Sequence, residues 1–174
     1  MHGNRVVVVT APGDHAGAAA DAAVTATAGC PLVVRTADCP PVVLLGERSV
    51  GVVHAGWRGL RGGVVEQAVA ALVDLGDPPR VAHIGPCIRV ECYEFVGPER
   101  HEMAALYGSA VLGSTATGTP GLDLTAAVIA ALHTAGVAQV EDTSGCTACD
   151  PRWYSHRKNG DAERMATMAW LEEA

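Results

Sequence analysis

The sequence contains few aromatic side chains, which limits what its core can be made of. Its 174 residues include three Trp, three Tyr and one Phe, although 49% are hydrophobic. The core must therefore be built mainly from small aliphatic residues that pack closely. A chain of this length can bury one sizeable core, and two would each be small. We predict a single domain over residues 1–174.

Positive charge is also scarce, and long apolar runs are missing. The 12 Lys and Arg residues are outnumbered by 19 Asp and Glu residues, which gives a formal net charge of -7. Sequence-independent binding of nucleic acid depends on many basic contacts, so we predict no nucleic-acid partner. No charged and apolar leader precedes residue 6, and no apolar run spans a membrane. We expect a soluble, cytoplasmic chain without a membrane partner, and leave open whether it forms a homo-oligomer.

Apolar runs and helical patterns alternate along the chain, which predicts an α/β (α+β) fold. Strands are predicted at 5–10, 31–39, 41–46, 50–56, 80–88 and 137–143, and helices at 64–75, 97–108 and 124–136. The three strands from 31 to 56 have short links and predict a meander. Residues 15–29 fit either a helix or a loop, 109–121 fit a surface loop, and 163–174 fit either a helix or a strand.

A candidate metal site lies within the stretch RTADCPPVVLLGERSVGVVHAGWRG, residues 35–59. Cys39 is at a predicted turn, and His54 ends the next strand. Thiolate and neutral imidazole are zinc ligands, and a catalytic zinc takes three protein ligands while keeping one position open. His2 and His15 flank the first strand, and spacing does not choose between them as the third ligand. We favour a metal site over a buried thiol and a satisfied core histidine.

The other cysteines carry a weaker signal. Six cysteines in a chain without a leader indicate thiols or ligands more than a disulfide framework. The pair Cys146 and Cys149 has the CxxC spacing of zinc and redox sites, but neither a second CxxC nor a histidine pair completes a four-ligand set. We therefore expect these two residues to be structural thiols.

Four motifs in order carry a family resemblance: TADCPP, VHAGWRG, IGPCI followed by CYEF, and CTACDPRWYSHRKNG followed by RMATMAWLEE. From about residue 2 to the end, the chain resembles the YfiH-type laccase-domain family, also called multicopper polyphenol oxidoreductases. The resemblance implies a layered domain with a mixed β-sheet flanked by helices. It also implies one zinc ion held by His2, Cys39 and His54, and so favours His2 over His15. Family members usually carry several tens of residues before that first histidine.

The chemistry implied by the resemblance is that of a purine nucleoside enzyme. Such an enzyme would deaminate adenosine, cleave adenosine, inosine, guanosine or methylthioadenosine with phosphate, or catalyse both reactions. A role in peptidoglycan editing stays open. Asp38 would carry the proton, and Arg58 would bind an anion such as phosphate beside a helix start. Tyr154 and Arg157 match the C-terminal motif and are predicted to contact the substrate.

Three alternatives of a different class remain. Copper can also bind two histidines and a cysteine, which suits a polyphenol oxidoreductase. A multicopper cluster needs more histidines, commonly in HxH pairs, and the sequence has none. A metal-free hydrolase could use Cys39 as nucleophile and His54 as base. The third alternative is a chain that binds purines or a protein partner without catalysis.

Overall fold

The computed structural model describes residues 3–142 and 145–173, in which five strands precede the first helix and strands and helices are interspersed after it. The strands are β1 (Val6–Val8), β2 (Ala22–Thr25), β3 (Leu32–Thr36), β4 (Pro41–Leu45), β5 (Val50–His54), β6 (Val81–Ile84), β7 (Leu112–Ser114), β8 (Pro120–Leu122), β9 (Gln139–Asp142) and β10 (Met165–Ala169). The α-helices are α1 (Trp57–Arg61), α2 (Val64–Asp74), α3 (Glu99–Tyr107), α4 (Leu124–Thr134) and α5 (His156–Asn159), and short 3-10 helices cover Val90–Cys92 and Ser109–Val111.

Six of these strands form one mixed sheet in the order β1-β2-β5-β4-β6-β9. The outer pairs β1–β2 and β6–β9 are parallel, and the inner pairs are antiparallel. Side chains alternate between the two faces, as the period of two requires. On β4, Val42 and Leu44 are fully buried on the face that packs against the helices, while Val43 and Leu45 pack on the opposite face.

Helices α2 and α4 cover the first face of the sheet, as their periodicity predicts. Leu72 of α2 and Leu132 of α4 are fully buried in the same core as the sheet residues. Helix α4 begins at the predicted N-cap, where the Asp123 carboxylate accepts a hydrogen bond from the Ala126 amide at 2.9 Å. The predicted fold class, an α/β domain with a mixed sheet flanked by helices, is confirmed.

A second, two-stranded sheet of β3 and β10 covers the opposite face. Leu32 and Val34 of β3, together with Ala169 of β10, form a second buried cluster with Val50 and Val52 of β5. The C-terminal segment 163–174, which fitted either a helix or a strand, therefore contains a strand, antiparallel to β3. Its composition favours a helix, but pairing with β3 buries one side of it.

The predicted meander is wrong at its first link, because β3 pairs with β10 and not with β4, whereas its second link is confirmed by the antiparallel pairing of β4 with β5. Neither Pro40 nor Pro41 has an N–H to donate, and Asp38 adopts a φ of 90°, so the chain leaves the ladder between β3 and β4. Pro41 is tolerated because it is the first residue of its strand. Two other segments differ from expectation: residues 15–29 contain β2, and 109–121 contain the β7–β8 hairpin. Within the described ranges, no helix is long and apolar enough to cross a bilayer.

Candidate metal and active site

Two neighbouring strands bring Cys39 and His54 to the same end of the large sheet. Strand β5 ends at His54, whose Cα is the partner of Pro41 at the start of β4. The Ala55 amide extends this pairing by donating to the Pro40 carbonyl at 2.9 Å. Cys39 directly precedes this point, so the thiol and the imidazole come from adjacent chain segments, as the sequence argument required.

The imidazole of His54 is oriented by Asp21, a residue that sequence reasoning missed. Nδ1 of His54 is 3.0 Å from Oδ1 of Asp21, and the His54 amide donates to the Asp21 carbonyl at 2.7 Å. The Gly3 amide donates to the other carboxylate oxygen at 2.8 Å. A hydrogen bond from Nδ1 to a carboxylate assigns the ring proton to Nδ1 and leaves the lone pair on Nε2. Metal-binding histidines commonly have this arrangement.

Cys39 lies in an environment that keeps its thiol neutral when no cation is present. Burial raises the pKa of the Cys39 thiol from 9.0 to about 12, and the Asp38 carboxylate and the Cys87 thiol add to the increase. The attacking group of a cysteine hydrolase is a thiolate, which this environment disfavours at neutral pH. A bound cation would reverse that preference.

Asp38 is buried, and both of its carboxylate oxygens accept hydrogen bonds from the C-terminal part of the chain. Oδ1 accepts from the Thr147 hydroxyl at 2.7 Å, and Oδ2 accepts from the Arg157 amide at 2.7 Å. Its carbonyl accepts from the Ile88 amide at 2.9 Å. These contacts stabilise the positive φ of Asp38 and connect the turn before Cys39 to two distant segments.

Arg58 lies in the first turn of the short helix α1, just after β5. Its guanidinium lies 4.3 Å from the centroid of the Trp57 ring, and that ring packs edge-on against Phe95 at 5.3 Å. The side chain is therefore supported on one side by an aromatic ring and exposed on the other. This leaves an exposed positive charge near the end of β5.

Of the two residues predicted from the C-terminal motif, Arg157 is connected to Asp38 through its amide. Its guanidinium donates to the Glu94 carbonyl at 3.2 Å and lies 4.8 Å from the centre of the Tyr93 ring. Tyr154 is 44% exposed. The structure thus brings Arg157 and Asp38 together, while the predicted substrate contacts of both C-terminal residues stay predictions.

A cavity of about 620 Å³ opens beside the His54 side chain. Asp21 and Arg35 contribute to its wall, and so does His15, the alternative third ligand. Cys39 is not among the described residues that line this cavity. The favoured third ligand, His2, lies outside the described residues, so the predicted set of three ligands stays a prediction.

A second group of possible metal ligands involves the CxxC pair that was expected to be structural. The sulfurs of Cys92, Cys146 and Cys149 all lie within 4.8 Å of one another. Sequence reasoning missed this group because Cys92 is more than fifty positions from its partners. The only local signal was the CxxC spacing itself.

Comparison with known proteins supplies the family context of this geometry. A family model described as multi-copper polyphenol oxidoreductase laccase matches residues 1–172. A protein of Mycobacterium tuberculosis named purine nucleoside phosphorylase is 38% identical over 177 residues, covering 99% of this chain and 70% of the relative. One of the same name from Streptomyces coelicolor is 41% identical, covering 99% of this chain and 73% of the relative.

Solved structures show the same fold. YfiH of Bacillus licheniformis superposes with a TM-score of 0.88 at 28% identity, covering 99% of this chain and 72% of that one. YlmD of Geobacillus stearothermophilus gives a TM-score of 0.86 at 28% identity, covering 99% of this chain and 71% of that one.

Proposed function

Because the chain belongs to the multi-copper polyphenol oxidoreductase laccase family, as its motifs predicted, we propose that it is a purine nucleoside phosphorylase. Relatives of that name are 38% and 41% identical to it over almost its whole length. The observation that carries the proposal is the His54–Asp21 pair beside Cys39 at the adjoining ends of β4 and β5. His54 also lines a cavity of about 620 Å³, within the usual range of about 300–1,000 Å³ for small-molecule sites, but Asp38, Arg58, Tyr154 and Arg157 are not among the described residues that line it.

The side chains fit a zinc ion. His54 has its Nδ1 bonded to a carboxylate, so Nε2 has the lone pair that a metal needs. Cys39 has a partly buried thiol whose pKa is raised to about 12, so its ionisation at neutral pH requires a nearby cation. We assign His2, Cys39 and His54 as the ligands. When bound, zinc would supply a Lewis acid at the reacting centre.

Phosphorolysis makes specific demands on the surrounding residues. A phosphate oxygen forms a bond to C1′ of the ribose while the bond from C1′ to the purine nitrogen breaks. The purine leaves with the electron pair and takes up a proton. Arg58 and Arg157 would bind the phosphate as cations, Tyr154 would contact the nucleoside, and Asp38 would carry the proton.

Adenosine deamination is the second candidate function, because it uses the same ligand chemistry. Water replaces the amine at C6 of adenine, and ammonia leaves. Copper-dependent oxidation of polyphenols follows from the description of the family model, and a cysteine with histidines can also hold copper. The metal-free hydrolase is disfavoured by the raised pKa of Cys39.

The products distinguish these activities. The purified protein is analysed for zinc and copper and then incubated with adenosine, with and without phosphate. We expect zinc, together with adenine and ribose 1-phosphate that form only when phosphate is present. Inosine formed without phosphate would identify deamination, and oxidation of a phenol by a copper-containing protein would identify the laccase activity. A zinc-loaded protein that forms no nucleoside product would refute the proposal.

Variants link the activity to the site. His54→Asn should lower both zinc content and kcat/KM, the latter by more than about 100-fold, because it removes a ligand and not an outer-shell partner. His133→Asn is the matched control, since His133 is exposed in the last turn of α4. Equal activity of the two variants would contradict the assignment of His54.

A further inference from the structure

Two segments that are distant in sequence bring together three cysteines, none of which is a ligand assigned above. Cys92 ends the 3-10 helix Val90–Cys92, and Cys146 and Cys149 belong to one turn. Their sulfurs all lie within 4.8 Å of one another, and those of Cys92 and Cys149 are 3.3 Å apart. Tetrahedral zinc with bonds of about 2.3 Å separates its sulfur ligands by about 3.8 Å. The spacing therefore suits a shared metal ion.

Backbone hydrogen bonds hold this geometry in place. The amides of Cys149 and Asp150 both donate to the Cys146 carbonyl at 3.1 Å, which closes a tight turn with two thiols on it. The Arg89 amide, from the segment that carries Cys92, donates to the Cys146 sulfur at 3.4 Å. N–H groups directed at a sulfur stabilise the thiolate form that binds a metal.

The segment carrying Cys92 is tied to the same turn by other contacts. Cys87 and Cys146 form a parallel bridge, and the Thr147 amide donates to the Cys87 carbonyl at 3.0 Å. The Arg89 guanidinium forms a two-point ion pair with Asp142 at 2.8 and 2.7 Å. The cluster thus lies where two chain segments are already joined.

We propose that Cys92, Cys146 and Cys149 bind one zinc ion, which clamps the turn 146–149 to the 3-10 helix. Thiolates are soft ligands, so they bind zinc in preference to hard cations such as magnesium and calcium. A disulfide between Cys92 and Cys149 would leave Cys146 without a role, whereas a metal uses all three sulfurs. Cys149 is exposed, so solvent can reach the cluster and a water molecule could supply a fourth ligand.

The clamp has a structural consequence for the candidate active site. Thr147 lies inside the CxxC turn, and its hydroxyl donates to the Asp38 carboxylate at 2.7 Å. Zinc at the cysteine cluster would therefore steady the residue next to Cys39 without contacting the substrate. The proposed clamp is independent of which reaction the enzyme catalyses.

The experiment uses the full chain carrying Cys39→Ala, which removes a ligand of the other proposed zinc site. The reduced protein is equilibrated with zinc and freed of unbound metal, and its zinc content is measured. We expect one zinc per chain. Adding Cys149→Ser should weaken zinc binding at least tenfold, while adding Cys30→Ala, at a buried cysteine outside the cluster, should leave it unchanged.

Two further measurements distinguish a loss of zinc binding from misfolding of the variant. Cobalt in place of zinc should give a sulfur-to-metal charge-transfer band that weakens in the Cys149→Ser protein. Zinc should raise the Tm of the Cys39→Ala protein but not that of the double variant, and Cys149 is exposed, so its change leaves the core intact. The proposal is overturned if the reduced Cys39→Ala protein takes up no zinc, or if Cys149→Ser leaves the affinity unchanged.

Discussion

Replacing Asp21 by Asn tests the argument that a buried carboxylate orients His54 for metal binding. The Asp21 carboxylate accepts from two N–H groups, Nδ1 of His54 at 3.0 Å and the Gly3 amide at 2.8 Å, and the residue is only 4% exposed. An Asn side chain has one acceptor oxygen, so its NH₂ group must face one of these donors. Either the Gly3 amide loses its partner, or the imidazole adopts the other tautomer and protonates Nε2.

The cost follows from the loss of one buried hydrogen bond to a charged group. Such bonds contribute about 1.5–3 kcal/mol, so we expect the free energy of unfolding of the zinc-free protein to fall by about that amount. Loss of the carboxylate behind a metal-binding histidine should also weaken zinc binding by about 10–100-fold. Urea unfolding measures the first quantity. Chelator competition measures the second, in a Cys149→Ser background that removes the other proposed zinc site.

The chain offers a matched control at its surface. Nδ1 of His83 lies 3.1 Å from a carboxylate oxygen of Glu141, but both side chains are 44% exposed. Glu141→Gln should change stability by less than about 1 kcal/mol and should leave zinc affinity unchanged. The reasoning is refuted if Asp21→Asn binds zinc as tightly as the unmodified site, or if the two variants lose the same stability.

Four further predictions concern the surroundings of the site. In zinc-free protein at pH 8, iodoacetamide should alkylate Cys39 about a thousandfold more slowly than an exposed thiol, because its pKa is raised to about 12. The stability that this raised pKa contributes is fully present below pH 9 and is lost as the pH rises towards 12. Between these pH values, the free energy of unfolding should therefore fall less steeply in Cys39→Ala than in the unmodified protein. Thr147→Val should cost about 1.5–3 kcal/mol in urea unfolding, because its buried hydroxyl donates to the Asp38 carboxylate. Gly59→Ala should lower the Tm, because the new Cβ would lie 2.6 Å from the Gly3 carbonyl oxygen, and that clash outweighs the better helix propensity of Ala.

Three of these four predictions have an internal comparison. Cys149 is exposed, so peptide mapping of the same alkylated sample provides the fast reference, and equal rates would contradict the burial argument. Thr134→Val alters an exposed threonine at the end of α4 and should be nearly neutral. Gly145→Ala introduces a Cβ with no atom within 4 Å, and a loss of Tm equal to that of Gly59→Ala would remove steric contact as the cause.

Local patterns predicted the helices better than the strand pairings. Helices α2 and α4 follow from apolar spacing, and each is followed by a glycine of positive φ, Gly76 and Gly136. Strand β2 was not predicted because its alanine-rich composition fits other structures equally well. It is a strand because β1 and β5 provide partners on both sides.

The sequence by itself identified Cys39 and His54 as candidate ligands, since residue type and spacing show a thiol and an imidazole at the ends of two short apolar runs. The tertiary structure decided what surrounds them. Asp21 meets His54 from 33 positions away, and Cys92 meets Cys149 from 57 positions away. Such contacts depend on which strands pair and how the turns close. Strand pairing and turn closure are determined by the burial of apolar side chains over the whole chain, which no local pattern specifies.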